Sequence, residues 1–446
     1  MVPPMPPRVV SRKEHRISRR QISPNALRTL YRLRDNGFVA YLVGGCVRDL
    51  LLGRTPKDFD IATDAVPGQL KRLFRNCRLV GRRFRLAHLH FQDEIIEVST
   101  FRSAAPVEEV EPAGETDDGH RPPRHLKDED GMVLRDNVFG TPEEDALRRD
   151  FTINALAYNI ADFSVIDHST GLVDLEQRLI RPIGDPYVRF TEDPVRMLRA
   201  VRFAASHGFV IEPATWDVLC ELSPTITRAS PARLYEEVLK LFLLGSAGPV
   251  FPLLEESGLG PALFPGLGGG GDENGRRRSV VQANLAGLDR LGRNGTPPSA
   301  PLCFVALFGP ALEEATLARH RDGVPRPQAL DAACAVFLEA LCRTVSVPGR
   351  VGGQLRAILA LQPLLQRQPP RRPARMVHRP EFADGLAYLR LAAETSAERR
   401  PVLAWWDAFL SGEAAPTGKE APVAEPPAKR RRRRRRRPRP AAVPAS

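Results

Sequence analysis

An apolar segment that ends in two glycines and is followed by two closely spaced aspartates constrains this chain more than any other stretch. Residues 38–43 predict a strand, and Gly44-Gly45 predicts a turn from that strand into a helix. Asp58 and Asp60 then fall on a second predicted strand, over residues 57–63. Because strand side chains alternate between faces, the two carboxylates share one face, with Cα atoms roughly 6–7 Å apart. The sequence thus predicts an α/β unit with paired acids near a glycine turn.

The Asp58 and Asp60 pair has two interpretations. Such a pair is commonly the solvated edge of a strand. Here Phe59 and Ile61 are apolar, so the strand is half buried, and two like charges on its other face favour a bound cation. Paired Mg²⁺ ions in phosphoryl-transfer sites lie about 3.5–4 Å apart, which suits this spacing. Glu97, on a later predicted strand, is either a third metal ligand or only the polar side of that strand.

The glycine turn is itself a candidate phosphate site. Gly44 and Gly45 let the backbone approach a ligand closely, and the start of the following helix offers unpaired N–H groups to an anion. Arg48 adds a positive charge there, and Asp49 follows it. The alternative is that Arg48 and Asp49 form only an ion pair within their helix.

A second polar cluster lies on a helix predicted over residues 141–160. Arg148, Arg149, Asp150 and Asn154 place two cations, a carboxylate and an amide on adjacent faces of this helix. The pattern fits either a salt-bridged surface helix or a helix that faces a nucleotide.

A third cluster, Asp193 and Arg196, lies on a helix that Thr191 is expected to cap. The two residues are either an ordinary i, i+3 helix pair or an acceptor and a set of donors for one base edge. Arg82 and Arg83, next to an aromatic residue, form a basic patch suited to a triphosphate or RNA.

The positive charge of the chain is concentrated near its C-terminal end. The formal net charge is +12 over 446 residues, and residues 429–446 hold ten basic residues and no acidic one. Arg430, Arg431, Arg432 and Arg433 open the arginine run, for which RNA contacts are predicted. The six cysteines form no C-x-x-C pair, which favours a reduced, cytoplasmic protein, and no apolar stretch of about 20 residues predicts a membrane span.

We expect an α+β chain in which a mixed-sheet head is followed by all-helical regions. Residues 164–179 predict a hairpin, and after Asp185-Pro186 no clear strand pattern remains. The two ends have too little apolar content to fold. The predicted parts are a disordered basic arm (1–22), the head (23–180, with an exposed loop at 104–130), a helical neck with a nucleotide- and RNA-binding region (181–263), a helical body and RNA-binding region (264–411) and a disordered arginine-rich tail (412–446).

Taken together, the motifs resemble the class II nucleotidyltransferases that extend RNA 3′ ends, the bacterial poly(A) polymerase and CCA-adding enzyme superfamily. The matching segments follow the family's order: Gly44-Gly45-x-Val-Arg-Asp, Asp58-Phe-Asp60, Arg148-Arg-Asp-Phe-Thr-Ile-Asn154 and Glu192-Asp-Pro-Val-Arg-Met-Leu-Arg-Ala-Val-Arg-Phe203. The resemblance covers roughly residues 15–245, with a looser helical match to about residue 410.

This resemblance implies a nucleotidyltransferase head, followed by helical neck, body and RNA-binding regions. It implies attack of an RNA 3′-hydroxyl on the α-phosphate of ATP, with release of pyrophosphate and two Mg²⁺ ions as cofactors. Asp58 and Asp60 then hold the metal together with Glu97, and Asp150 acts in catalysis beside them. Asp193 and Arg196 recognise the base. The remaining nucleotide-binding residues are Gly44, Gly45, Arg48, Asp49, Arg149 and Asn154.

Three segments are similar to poly(A) polymerases in particular, namely residues 76–88, 131–140 and 232–242. We therefore expect a monomeric, cytoplasmic enzyme that polyadenylates RNA 3′ ends without sequence preference and promotes RNA turnover. The alternative within the superfamily is CCA addition to tRNA, and the alternative outside it is a non-catalytic RNA-binding protein. Contacts with an RNA chaperone or a degradation complex are left open.

Overall fold

The computed structural model describes residues 6–81, 86–103, 126–127, 133–135, 139–264 and 272–413. Within these ranges the strands are β1 (Arg8–Val10), β2 (Ala40–Val43), β3 (Asp60–Thr63), β4 (Cys77–Val80), β5 (Leu86–His90), β6 (Ile95–Thr100), β7 (Leu126–Lys127), β8 (Val133–Arg135), β9 (Ala157–Asn159), β10 (Val165–Asp167), β11 (Leu179–Ile180) and β12 (Val210–Ile211).

The α-helices of the same ranges are α1 (Pro24–Asp35), α2 (Gly45–Leu51), α3 (Pro67–Leu73), α4 (Pro142–Leu147), α5 (Gly171–Gln177), α6 (Pro186–Glu192), α7 (Val195–His207), α8 (Pro213–Leu222), α9 (Pro231–Leu243), α10 (Ala247–Glu256), α11 (Leu259–Leu263), α12 (Asp272–Arg293), α13 (Ala300–Arg321), α14 (Arg326–Cys342), α15 (Gly349–Leu365), α16 (Pro373–Val377), α17 (Phe382–Ala393) and α18 (Arg399–Leu410). The predicted architecture, an α+β head followed by helical regions, is confirmed.

An eight-stranded mixed sheet organises the head. Its strand order is β1-β10-β9-β2-β3-β6-β5-β4. At its centre β3 runs antiparallel to β2 and parallel to β6, with Asp60 opposite Glu97 in the parallel register. Leu42, Ile61 and Val98 of these three strands are fully buried. The central strands therefore hold two acidic residues side by side on an apolar support.

Residues 6–22 of the N-terminal arm are ordered, and the prediction of a disordered arm is wrong for these residues. Val9 and Val10 belong to β1, which pairs antiparallel with β10 at the edge of the sheet. Ile17 is fully buried in the head core, and the His15 imidazole lies 2.8 Å from the Phe163 carbonyl. The proline-rich composition hides a short β-branched strand, whose partner lies more than 150 residues away.

The predicted helix over residues 141–160 is also wrong beyond its first turns. Helix α4 ends at Leu147, a short 3₁₀-helix covers Thr152–Asn154, and β9 follows, inserted between β2 and β10. Phe151 has extended backbone angles (φ −127°, ψ 147°), which end the helical path. The sheet needs a strand here, and that tertiary demand overrides the local helical preference.

The predicted hairpin over residues 164–179 is replaced by a strand, a helix and a second strand. Helix α5 follows β10, and β11 pairs in parallel with β12, so a two-residue strand does occur after residue 186. A side chain at Gly171 would lie 2.4 Å from the Thr152 carbonyl oxygen. Gly171 therefore allows α5 to pack directly against the segment that carries Asn154.

The neck consists of helices α6 to α11, and the body consists of α12 to α18. Thr191 lies inside α6, whose N-cap is Asp185, and α7 begins only after Pro194, so the predicted capping by Thr191 is wrong. One apolar core runs from the head through the neck into α13–α15, and a smaller cluster surrounds the fully buried Trp406.

One helix meets the length and composition of a membrane span, which the sequence pattern does not predict. Helix α13 has a mean hydropathy of 1.3 over its most apolar stretch, and 67% of that stretch is buried within the protein. The core helix of a soluble protein meets the same criterion, so the finding is weak evidence for a membrane.

Candidate active site

The glycine turn brings the backbone close to the acidic pair and to the second polar cluster. Gly44, between β2 and α2, has φ 78° and ψ −143°, a conformation essentially restricted to glycine. A Cβ atom at this position would lie 3.4 Å from Arg149 Nη1 and 3.9 Å from Asp60 Oδ2. At Gly45 a Cβ atom would lie 3.3 Å from Arg48 Nη2. The turn therefore forms one wall of a site that contains Asp60 and Arg149.

Asp60 and Glu97 form the acidic part of this site. They are register partners on adjacent parallel strands, so their side chains leave the same face of the sheet. Partial burial and the Glu97 carboxylate raise the pKa of Asp60 to about 6, with a further contribution from Asp58 and an opposing one from Arg149. Although protein surrounds Asp60, its side chain stays open to solvent. The crowded negative charge favours a cation at this position.

Asp58 lies outside the strand on which the sequence places it. Strand β3 begins at Asp60, and Asp58 is an exposed residue of the preceding segment. The two aspartates are therefore near neighbours without the strand alternation assumed for residues 57–63. The elevated pKa of Asp60 includes an effect of Asp58, which shows that their charges act on each other.

The donor set fits a Mg²⁺ site that a substrate would complete. Within the part of the chain that the structure describes, no three His, Cys, Asp or Glu side chains gather into a ready metal cage. Glu97 instead has its carboxylate 3.5 Å from the His88 imidazole. Mg²⁺ is commonly held by one or two carboxylates, with waters and substrate phosphates as its other ligands. Asp58 and Asp60 can supply those carboxylates, and Glu97 can join them by leaving His88.

Asp145, a buried carboxylate that was not predicted as a site residue, holds Arg148 and Arg149. Asp145, only 2% exposed, accepts hydrogen bonds from Arg148 (2.9 and 3.0 Å) and Arg149 (2.9 Å), and from the Arg102 backbone N–H (3.2 Å). Burial opposes its ionisation, but the two guanidiniums outweigh burial and lower the pKa of Asp145. Arg149 thus extends from a fixed anchor toward Asp60 and Gly44.

Asp150 lies next to this pair and is saturated by hydrogen bonds. Its Oδ2 accepts from Arg199 Nε (2.7 Å), and its Oδ1 accepts from the Phe151 N–H (2.9 Å) and the Asn154 amide (3.3 Å). Burial would raise the pKa of Asp150, but Arg199 and the hydrogen bonds lower it to about 2. The carboxylate is therefore ionised over the whole physiological range.

Arg48 and Asp49 lie beneath the cleft. Arg48 is 6% exposed and donates to Asn154 Oδ1 (2.7 Å) and Asp49 Oδ1 (2.9 Å). Asp49 also lies 3.5 Å from the His207 imidazole. These contacts join α2 to the segment that carries Asp150, so Arg48, Asp49 and Asn154 position the site. Direct contact of these residues with a nucleotide stays a prediction.

Asp193 and Arg196 lie close together but form ion pairs with other residues. Asp193 Oδ2 accepts from Arg233 Nη2 (2.8 Å), which α9 supplies from 40 residues away. Arg196 Nη1 donates to Glu192 (3.2 Å) and to the Arg189 carbonyl (2.8 Å). The simple i, i+3 helix pair is therefore not formed.

A polar cavity of about 300 Å³ lies where the second and third clusters meet. Five arginines (Arg148, Arg149, Arg196, Arg199 and Arg233) and four acids (Asp150, Asp193, Glu236 and Glu237) line it, together with Val195. Arg149 belongs to this cavity and also adjoins Asp60. One residue therefore connects an acidic, metal-suited edge to an arginine-rich cavity.

Several residues of the site were not among the predicted site residues. Arg189 donates to the carbonyls of Arg148 (2.7 Å) and Arg149 (2.5 Å), which fixes the backbone beside Asp150. Arg199 lies within the quoted motif 192–203, one helical turn after Arg196, and this spacing could have indicated it. Asp145 lies three and four residues before Arg148 and Arg149, and this helical spacing could also have indicated it. Arg233, in contrast, becomes recognisable only when the fold brings it to Asp193.

The predicted RNA-binding residues Arg82, Arg83, Arg430, Arg431, Arg432 and Arg433 lie outside the described residues, as does most of the predicted loop 104–130. Strand β7, at residues 126–127, is the part of that loop that the structure describes, and it pairs with β8.

Three family models match successive parts of the chain. The Poly A polymerase head domain matches residues 40–181, the probable RNA and SrmB-binding site of polymerase A matches residues 208–268, and the polymerase A arginine-rich C-terminus matches residues 322–440. The first match contains Gly44, Asp60, Glu97 and Asp150.

Individual relatives cover most of the chain. Poly(A) polymerase I of Salmonella typhi is 42% identical over 406 residues, which is 90% of this chain and 85% of that protein, and poly(A) polymerase I of Escherichia coli O157:H7 is 43% identical over the same length. A CCA-adding enzyme of Lactobacillus gasseri is 36% identical, but only over 55% of this chain and 56% of its own.

The fold is also that of a solved enzyme. The crystal structure of the Bacillus stearothermophilus CCA-adding enzyme in complex with CTP has a TM-score of 0.61 and 27% identity, and the match covers 88% of this chain and 83% of that one. The long, high-identity matches to poly(A) polymerases, over the head that holds the acidic edge and the neck that completes the arginine cavity, place the chain in the bacterial poly(A) polymerase I family of nucleotidyltransferases.

Proposed function

We propose that the protein adds AMP from ATP to RNA 3′ ends without a template. The RNA 3′-hydroxyl oxygen attacks the α-phosphorus of ATP, the bond to the bridging oxygen breaks, and pyrophosphate leaves. The hydroxyl proton passes to solvent. The single observation that carries the proposal is the position of Arg149, between the acidic edge at Asp60 and the arginine-lined cavity.

The residues of the chain contribute mainly by positioning and by charge. Arg148 and Arg149, held by Asp145, face the triphosphate, and the glycine turn lets the backbone approach it closely. Asp58 and Asp60, with Glu97, would hold Mg²⁺, and the bound ion would supply activation of the hydroxyl and neutralisation of phosphate charge. Asp150 acts beside the phosphates, where its ionised carboxylate orients Arg199 and Asn154.

Recognition of adenine is assigned to Asp193 and Arg196 at the other side of the cavity. Adenine presents an amino donor beside ring-nitrogen acceptors, and a carboxylate with a guanidinium complements such an edge. Arg233 and Glu192, which hold these two side chains, set their orientation before ATP binds. Adenine choice therefore depends on side chains outside the acidic edge.

Polyadenylation is favoured over CCA addition by the extent of the likeness. Poly(A) polymerase I of Salmonella typhi matches 90% of the chain, whereas the CCA-adding enzyme of Lactobacillus gasseri matches 55%. A poly(A) polymerase acts on many RNAs, and the arginine-rich end suits sequence-independent phosphate contacts. We further propose a monomeric, cytoplasmic enzyme that promotes RNA turnover, in keeping with six free cysteines.

The test is primer extension on a labelled RNA with ATP or CTP and Mg²⁺. We expect a long ladder with ATP and little incorporation of CTP. Addition of CTP that stops at a fixed three-nucleotide end would show CCA addition instead, and absence of any incorporation would indicate a non-catalytic RNA-binding protein.

A matched pair of variants tests the acidic edge. Asp58→Ala with Asp60→Ala is expected to lower AMP transfer at least ~10²-fold, because the metal-suited carboxylates are lost. Asp93→Ala, an exposed change on the head, serves as the control and is expected to keep full activity. If the double variant were as active as the wild type, the metal assignment would be wrong.

A further inference from the structure

A second basic groove lies on the helical body, on helices α12, α13 and α14. Its volume is about 650 Å³, and its lining residues include Arg276, Arg277, Arg319 and Arg321. None of these four residues falls within the family matches to the head or to the RNA-binding segment 208–268. We propose that this groove binds a stretch of single-stranded RNA upstream of the 3′ end. The inference rests on the proposed function, because it assigns a further contact to the same RNA substrate.

The charge of the groove is complementary to a polyanion. Among its lining residues Glu314 is the one acid, and it pairs with Arg277 (Nε to Oε2, 2.9 Å). Arg319 donates to the Ala315 carbonyl within its own helix. Arg276 and Arg321 are exposed, and neither makes an ion pair with any described residue. The groove therefore presents unneutralised guanidiniums that can each contact a phosphate.

The floor of the groove is apolar and is formed largely by small side chains. Small residues of α13, among them Ala311, Ala315 and Ala318, leave a shallow surface between the arginines. Val336 of α14 is 59% exposed, and Phe337 beside it packs on Phe308 with ring centroids 4.7 Å apart. Exposed apolar side chains are unfavourable in water, and flat bases can cover them.

A basic rim around an apolar floor is the pattern that binds unpaired nucleic acid. Single strands track positively charged grooves through their phosphates, while the bases rest on aromatic or apolar side chains. A duplex keeps its bases paired and offers nothing to the floor. An acidic peptide could also satisfy the arginines, but planar guanidiniums suit phosphates, and the proposed substrate is itself a single strand. The observations therefore favour RNA.

Binding in the groove would add affinity for long RNA without changing the chemistry. The groove residues belong to the body, whereas the acidic edge belongs to the head sheet. A trinucleotide that occupies only the catalytic cleft should be extended equally well with or without the groove. A longer strand should be held at both places.

The test compares Arg276→Ala/Arg321→Ala with a charge-matched control, Arg343→Ala/Arg350→Ala, whose residues are exposed on the body outside the groove. Binding of a fluorescent 20-nucleotide oligo(A) to the full chain is measured by anisotropy over a range of KCl. Two lost phosphate contacts should reduce the slope of log affinity against log salt by about 1.4, and weaken binding about 25-fold at 0.1 M salt. The control should shift the slope much less.

A second variant and a second ligand make the result decisive. Val336→Asp puts a carboxylate at an exposed position of the floor, and it should also weaken binding of the 20-nucleotide RNA. Binding of poly-glutamate, a model acidic peptide, is measured with the same variants. The proposal would be overturned if the groove variants bound RNA with the salt slope of the control. It would also be overturned if they lost poly-glutamate binding while their RNA affinity stayed unchanged. AMP transfer to a trinucleotide is measured in parallel, so failure of the proposed chemistry in the wild type is distinguished from failure of the groove.

Discussion

The ion pair between Asp150 and Arg199 offers a quantitative test of how the site is held. Arg199 reaches Asp150 from α7, and the two side chains join the segment after α4 to the neck. Asp150→Asn keeps the shape of the side chain and an acceptor for the Phe151 N–H, but removes the charge. Arg199→Gln removes the opposite charge.

The expected energy follows from the pKa of Asp150. Its fall from 3.8 to about 2 corresponds to about 2–3 kcal/mol of net stabilisation at neutral pH, at about 1.4 kcal/mol per unit, with burial opposing the Arg199 pair and the hydrogen bonds from Asn154 and Phe151. The Asp150 side chain is only 11% exposed. Protein surrounds the Arg199 guanidinium, but 34% of the Arg199 side chain is exposed toward the cavity. Water in the cavity screens part of the interaction, so about 2 kcal/mol is more realistic than the larger values of fully buried pairs.

The pH dependence has a defined sign. The folded pKa of Asp150 lies below the unfolded value, so the folded protein releases the proton more readily and the pair stabilises it above about pH 4. The stabilisation is lost as the pH falls toward 2. The difference in stability between the wild type and Asp150→Asn should therefore be constant from pH 5 to pH 8 and shrink in acid.

The assay is a double-mutant cycle. The free energy of unfolding in urea is measured by circular dichroism for the wild type, both single variants and the double variant. We expect a coupling energy of about 2 kcal/mol, between the values of exposed pairs and of fully buried pairs. The exposed pair Arg356 and Asp331 of the body is the control cycle, with an expected coupling below about 0.5 kcal/mol. A coupling for Asp150 and Arg199 no larger than the control would refute the reasoning.

Four other predictions concern the turn, the backbone, the base and the tail. Gly44→Ala forces alanine into a glycine-only conformation and should lower the free energy of unfolding in urea by about 1–3 kcal/mol. Arg189→Met frees the backbone at Arg149 and should lower kcat/KM for ATP about tenfold in steady-state kinetics, so an unchanged value would contradict its role. Asp193→Ala should reduce the preference for ATP over CTP about tenfold in competition assays. Deletion of residues 429–446 should weaken RNA binding and flatten its salt dependence, and an unchanged slope would count against a tail contact.

The sequence is most informative about the head where local patterns suffice. Helix α1 follows from the Ser23 cap, Pro24 at its first position and an apolar face, and the strand before Gly44 follows from its apolar run. Each of these signals lies within a few residues of the element it specifies. The prediction of a metal and phosphate site is likewise local, because Asp58, Asp60 and the glycine turn are close in the chain.

Features that depend on distant partners could not be predicted in this way. Residues 151–159 look helical, yet they leave the helix because β9 must pair with β2 and β10. Asp193 and Arg196 have the spacing of a helix pair, but Arg233 captures Asp193 from 40 residues away. The sequence indicates Asp193 and Arg196 as candidates, whereas the Arg233 partner of Asp193 emerges only from the tertiary fold.

The N-terminal strand β1 determines when the head can be completed during synthesis. Its partner, β10, contains residues 165–167, so β1 waits unpaired while more than 150 further residues are made. Strand β1 is thus made long before its partner and is among the last strands to be fixed in the sheet, so a truncation that removes it would act on the closing step of head folding and not on its beginning.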